Sequence, residues 1–210
     1  MEDSKIEWTD HTFNPWIGCT KVSPLCDNCY AEAQNERFGH DNWGVGKERR
    51  ITKTWGNPIK WDRAAEEAGK PAKVFMASMA DFFDNEVNPE WRKDAWNVVR
   101  DCVNLDWIIL TKRLPNVPKM LPADWGPLYR HVTLCASMGT QAEIDRDYSR
   151  LLAMKYEHGF ARVGISAEPL LEEVSMYQVL FAGLDWLIVG GESGPTRRPF
   201  EIKPESRASS

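Results

Sequence analysis

The chain has 210 residues, 42% hydrophobic and 27% charged, the proportions of an ordinary globular protein rather than of a disordered, collagenous or coiled-coil one. Its formal charge of −5 argues against binding nucleic acid through a broad basic face, because phosphate binding draws on clustered Lys and Arg. The polar start MEDSKIEWTD lacks a secretory apolar core, and no apolar run reaches the about 18 residues needed to cross a bilayer, so a soluble cytoplasmic protein with no membrane partner is expected.

In chain order, strands alternate with helices. A first strand is expected near 13–18, running into a cysteine-rich loop. A helix follows from Cys29 or Tyr30 to about Phe38, closed by Gly39. Residues 39–57 read as loop. Within them, KERRITK at 47–53 is the one dense basic run, either a phosphate contact or a solvated loop. Buried strands are expected at 73–77 (KVFMA), 107–110 (WIIL), 132–136 (VTLCA), 162–166 (RVGIS) and 185–189 (DWLIV), each a short run rich in Val, Ile, Leu or Phe. Asn88 and Pro89 open a helix over 89–103. Thr140 and Glu143 form a capping-box pattern for a helix over 140–158, with Gly159 just past its end. A shorter helix is expected over 171–181, while 114–127, with four prolines, reads as loop.

Near-continuous apolar strands separated by helices imply parallel strands covered on both faces. Six such units predict an α/β fold, a partial (β/α)6 barrel, with a doubly wound open sheet as the alternative. Residues 1–200 read as one domain and 201–210 as a polar tail. The ten tryptophans are dispersed, and packing is their default role.

In either fold, function sits at the carboxyl ends of the strands. Polar residues collect there: Ser78 and Asp81, then Lys112 and Arg113, then Ser137, then Glu168, then Gly190, Gly191 and Glu192. His131 precedes a strand and His158 ends a helix, so neither is given a catalytic role.

The strongest local signal is Cys19, Cys26 and Cys29, a C-x6-C-x2-C spacing between the first strand and its helix. Five cysteines in a chain of this type point to metal or free thiols rather than a disulfide framework. Two thiolates of a C-x2-C pair converge readily, and the loop turned by Pro24 can return a third. Structural zinc wants a fourth ligand, and none lies at the expected spacing. Cys102 and Cys135 read as small apolar fillers. Three ligands suit a cluster with one open iron, with a three-ligand catalytic zinc as the alternative.

The motifs NPWIGCT (14–20), SMADFF (78–83), LTKR (110–113), SAEPLL (166–171) and VGGESG (189–194), with the cysteine spacing, resemble the phage-associated three-Cys-motif proteins, a radical-SAM-like family, over roughly residues 5–200. The resemblance implies a [4Fe–4S] cluster on Cys19, Cys26 and Cys29, S-adenosylmethionine (SAM) on its unique iron, and an external reducing electron donor. It implies reductive cleavage of SAM to methionine and a 5′-deoxyadenosyl radical that abstracts hydrogen from a substrate. With SAM so placed, Ser78 and Asp81 are assigned to its amino group and Lys112 or Arg113 to its carboxylate. Ser137 and Glu168 are assigned to the ribose hydroxyls. Glu192, behind Gly190 and Gly191, is assigned to the adenine side or the substrate.

A phage origin would place the protein in the host cytoplasm and make a nucleic-acid or nucleotide substrate the natural guess. The sequence departs from the commonest C-x3-C-x2-C spacing. It also has Asn28 where an aromatic residue commonly precedes the third cysteine. After the Gly-Gly-Glu turn the chain lacks the further helix and strand usual in the family, so a homo-oligomer or a completing partner at the last strand edge is expected. The competing readings are a non-enzymatic iron–sulfur or zinc protein, and a zinc hydrolase using Glu168 or Glu192 as base.

Overall fold

The computed structural model describes residues 4, 6–175, 183–193 and 196–200. Six parallel strands form the main sheet: β1 (His11–Phe13), β4 (Ala72–Met76), β5 (Leu105–Thr111), β6 (Val132–Ser137), β7 (Arg162–Ala167) and β8 (Trp186–Val189), paired in that order. The order is monotonic along the chain. It contains no reversal point, so the doubly wound alternative is excluded. Successive right-handed crossovers in one direction put the connecting helices on one face. No ladder joins β1 to β8 among the described residues, and the sheet is an open sector of a barrel. Its edges approach through Trp8, just before β1, whose ring lies 5.2 Å from that of Trp186 at the start of β8.

The expected first strand is two strands. Pro15 offers no N–H, and after Asn14 the chain leaves the sheet. Trp16–Ile17 (β2) then pair antiparallel with Arg50–Ile51 (β3), inside what reads as loop and basic run. The helices are α1 (Tyr30–Arg37), α2 (Asn57–Ala68), α3 (Pro89–Asp101), α4 (Val117–Met120) and α5 (Gln141–Tyr156). Helix α2 has no counterpart in the sequence reading. It starts without a side-chain cap at Gly56, and its clearest signal is Gly69 in the left-handed region at its end. Asn88 accepts from Glu90 N–H at α3, and Thr140 from Glu143 N–H at α5, as their sequences foretell. Residues 171–175 are not helical, so the expected 171–181 helix is absent there, and its remainder lies outside the described residues, as does the 201–210 tail. No described helix is long and apolar enough to cross a membrane.

Strand alternation divides the sheet. Val74, Met76, Trp107, Ile109, Val132, Leu134, Val163 and Ile165 join one core cluster with α3 (Ala95, Trp96, Val99) and α5 (Ile144, Leu151, Met154). The intervening residues, among them Phe75, Ile108, Cys135, Ser137 and Ser166, are buried on the opposite, concave face. Gly164 makes room there, because a Cβ would stand 2.9 Å from both the Cys135 sulfur and the Trp186 carbonyl.

Candidate active site

A cavity of about 640 Å³ occupies the concave face and opens at the carboxyl ends of the strands. Trp8, Phe75, Leu110 and Ile188 supply apolar wall, and Cys19, Cys26 and Cys29 line it together. All nine of the strand-end residues singled out from sequence lie at this mouth, and all but Gly190 line the cavity; Gly190 lies directly against Glu168.

The cysteine loop is fastened to four strand ends. Gly18 donates its N–H to Met79 O at 3.1 Å, beyond β4. Its φ of +116° and the Asn42 carbonyl, 2.4 Å from where a Cβ would sit, restrict the position to glycine. Beyond β5, Arg113 donates to Thr20 O at 2.6 Å. Beyond β6, Ser23 Oγ donates to Glu143 Oε1 at 2.5 Å, while Glu143 Oε2 accepts from Gly139 N–H at 3.0 Å. Beyond β8, Asn28 Nδ2 donates to Glu192 Oε2 at 2.9 Å. Asn28, where an aromatic residue is common, thus ties the third cysteine to the Gly-Gly-Glu turn.

Several strand-end charges serve one another. Asp81 accepts from Thr111 Oγ1 (2.9 Å), Phe83 N–H (2.9 Å) and Lys112 N–H (3.1 Å), and pairs with Arg113 at 3.0 Å. The Arg113 Nη1 also lies 3.5 Å from the Cys19 sulfur. Burial, then Asp81, push the Cys19 thiol up to about 11, and Arg113 opposes them. Glu192 accepts from the Arg198 backbone N–H at 2.6 Å and from its guanidinium Nε at 2.8 Å. Those bonds hold its carboxyl down at about 2. Asn14 holds the β4 end, its Oδ1 accepting from Met79 N–H (2.7 Å) and its Nδ2 donating to Ser78 Oγ (2.9 Å).

Other groups face the cavity with no hydrogen-bond partner among the described residues. Lys112 Nζ makes no ion pair there, whereas Lys21 is paired with Glu32 at 2.7 Å. Glu168 forms no side-chain hydrogen bond, and burial raises its carboxyl above the usual range. The Ser166 hydroxyl, 1% exposed, is unpartnered, and it sits beside Ser137 in the β6–β7 register.

Arg49, Ser166 and Arg198 are absent from the sequence-derived set. Arg49 corrects the reading of the basic run: it is buried, with Asp84 at 2.9 Å and Thr20 Oγ1 at 2.6 Å, while Lys47 pairs with Asp41 at 2.5 Å. Strand alternation could have flagged Ser166, opposite in face to Val163 and Ile165. Nothing local marks Arg49 or Arg198. Cys102 and Cys135 are buried and do not line the cavity, and His131 Nε2 meets Val99 O at 2.7 Å, a structural contact.

The family model described as "Protein of unknown function (DUF5131)" matches residues 3–206. The chain belongs to this family. No curated protein matches. Among solved structures, a cysteine-to-serine mutant of spore photoproduct lyase aligns with TM-score 0.55 at 16% identity, covering 79% of this chain and 47% of that one. Spore photoproduct lyase complexed with dinucleoside spore photoproduct aligns at 0.54 and 13%, covering 82% and 49%. A double mutant with bound AdoMet and dinucleoside spore photoproduct gives 0.52 and 13%, covering 79% and 47%. This family member spans about half the length of those chains, and the likeness shows the fold.

Proposed function

We propose that this protein is a radical SAM enzyme, with a [4Fe–4S] cluster on Cys19, Cys26 and Cys29 and SAM in the adjoining cavity. The observation that carries the reading is the conjunction of three free thiols with unpartnered polar groups on the wall of one cavity. Among the described residues no three His, Cys, Asp or Glu side chains converge as a single metal ion requires. A cluster is larger, and each thiolate takes its own iron, so separated thiols on a common wall suit it. The fold is also that of spore photoproduct lyase, one structure of which binds AdoMet.

The bound cluster would supply one electron to cleave SAM reductively. The chain's own part is to bind and orient. Lys112 Nζ, without a partner among the described residues, is suited to the SAM carboxylate. Ser78 remains the candidate for its amino group. Ser137, Ser166 and Glu168 are suited to the ribose hydroxyls, which would satisfy the orphaned Ser166 oxygen. Arg113, paired with Asp81, holds the cysteine loop through Thr20 O, and Glu192 holds it through Asn28. The substrate proposed is nucleotide-like, in keeping with the dinucleoside bound by the structural neighbour.

The test is anaerobic purification, iron and sulfide assay, and addition of dithionite and SAM. Brown protein that yields 5′-deoxyadenosine is expected. Colourless protein holding one zinc sinks the cluster, and brown protein that never cleaves SAM sinks the enzyme. Cys26→Ala should lose the iron.

A further inference from the structure

We propose that Trp43 is a ligand-stacking residue, a ring face on which the cavity receives a planar nucleobase-type heterocycle. The choice of ligands rests on the function proposed above, but the observations do not. Nine of the ten tryptophans pack on the hydrophobic core or on another aromatic ring. Trp43 does neither among the described residues, yet it is half-buried and lines the cavity. Three other aromatic rings share that wall; two are engaged ring against ring, and the third is fixed through its hydroxyl. The Trp8 ring lies 4.9 Å from Phe75 and 5.2 Å from Trp186, which occupies Trp8 and Phe75 alike. Tyr30 donates its hydroxyl to Ser78 O at 2.5 Å.

The backbone around Trp43 is clamped on both sides. Arg49 Nη1 donates to the carbonyls of Asn42 (3.2 Å), Gly44 (3.2 Å) and Lys47 (2.8 Å). Gly44 N–H donates to Cys19 O at 2.9 Å, and Thr20 Oγ1 to Gly44 O at 3.0 Å. The Trp43 loop is therefore fastened to the first cysteine of the candidate cluster site. A buried guanidinium holding one short loop is preorganisation, and it lowers the ordering cost that binding must overcome. An indole face without a protein partner is suited to base stacking, which tolerates any base because every base has a π-face. Two ligands carry such a ring: the adenine of SAM and the base of a nucleotide substrate. The missing aromatic at Asn28 leaves room for the first.

The experiment compares wild type with Trp43→Phe, Trp43→Leu and Trp43→Ala, purified anaerobically, with calorimetric binding of S-adenosylhomocysteine and of thymidylyl-thymidine. Because Trp43 lies outside the core, the variants should keep the wild-type melting temperature within a few degrees. Trp43→Ala and Trp43→Leu should weaken binding about 5- to 150-fold, the range for one lost base–aromatic stack, while Trp43→Phe retains most of it. Loss confined to S-adenosylhomocysteine identifies the cofactor adenine as the stacked ring; loss confined to the dinucleotide identifies the substrate base. Wild-type affinity for both probes in Trp43→Ala, or no binding of either by wild type, overturns the assignment. Iron and SAM cleavage are measured on the same preparations. Active, iron-loaded protein indifferent to Trp43→Ala sinks Trp43 alone, whereas iron-free protein whose probe binding collapses in Trp43→Ala keeps Trp43 and sinks the cluster.

Discussion

Arg113 Nη1 lies 3.0 Å from the Asp81 carboxylate and 3.5 Å from the Cys19 sulfur, so one buried cation joins the β5 end, the β4 end and the first cysteine. Arg113→Gln would leave the Asp81 charge buried with dipoles alone to stabilise it. Breaking a buried pair from one side costs about 3–5 kcal/mol. A fall of that order is expected in the urea-unfolding free energy of metal-free protein. The Arg113→Gln/Asp81→Asn double variant should recover part of it, because the orphaned charge is gone. A double variant no more stable than the single one would show that the charge pairing is not the source of the loss.

Arg49 does for the 42–47 loop what Arg113 does for Thr20. Its guanidinium serves three carbonyls, the Thr20 hydroxyl, Asp84 and Glu86. Lysine has no planar fork and cannot reproduce that set. Arg49→Lys is therefore expected to destabilise by about 2–4 kcal/mol, between a lost hydrogen bond and a broken buried pair. Hydrogen exchange at the Gly44 and Lys47 amides, which bond to Cys19 O and Gly44 O, should accelerate with it. Unchanged protection at these amides would refute the clamp.

The contrast between these two arginines shows how far the sequence could be read. The strands from β4 to β8 were legible because burial on both faces leaves nearly unbroken apolar runs, and the cysteines because their spacing is local. Asp81, Lys112 and Glu168 were legible as members of a ring, since residues after parallel strands share one end of the sheet. Arg49 was not, because half of what it binds is backbone carbonyl, which carries no sequence signature, and the rest is side chains distant in the chain. Helix α2 escaped for a related reason: its N-terminus has no side-chain cap. The division of the first strand depended on Pro15 and on pairing with a distant Arg50–Ile51, a tertiary choice.

Gly139 offers a direct test of the docking of the cysteine loop on α5. A Cβ there would stand 1.9 Å from Pro169 O and 3.1 Å from the Leu25 side chain, and backbone at that distance must move. Leu25 is buried in the cysteine loop one residue before Cys26. Gly139→Ala is expected to cost about 1–3 kcal/mol by overpacking and to lower the iron retained after anaerobic reconstitution. Gly69→Ala, with nothing within 4 Å of its Cβ, serves as the control for glycine replacement far from the loop. It should lose stability through its left-handed backbone but keep its iron. Equal iron content in the Gly139→Ala protein and wild type would detach Leu25 packing from metal retention.

The Glu192–Arg198 contact predicts a pH dependence with a definite sign. Hydrogen bonds from Arg198 and Asn28 depress the Glu192 carboxyl to about 2, below its ordinary 4.5. A depressed carboxyl contributes stability above the unfolded value, and the contribution is lost as pH falls through the window from about 4.5 to about 2. Glu192→Gln removes the titration while preserving the side-chain shape. The melting temperature of wild type should therefore exceed that of Glu192→Gln at pH 7, and the difference should shrink steadily below pH 4.5. The difference carries the test, because other carboxylates titrate in both proteins alike. Arg198→Ala should behave as Glu192→Gln does at neutral pH, and combining the two should add little, since both remove one interaction. A gap that stays constant from pH 7 to 3 would mean that the loss comes from replacing an accepting carboxylate oxygen by an amide NH2 rather than from the Glu192 charge. Asn28, bonded to the same carboxylate, would then lose its charged anchor but keep its place beside Cys29.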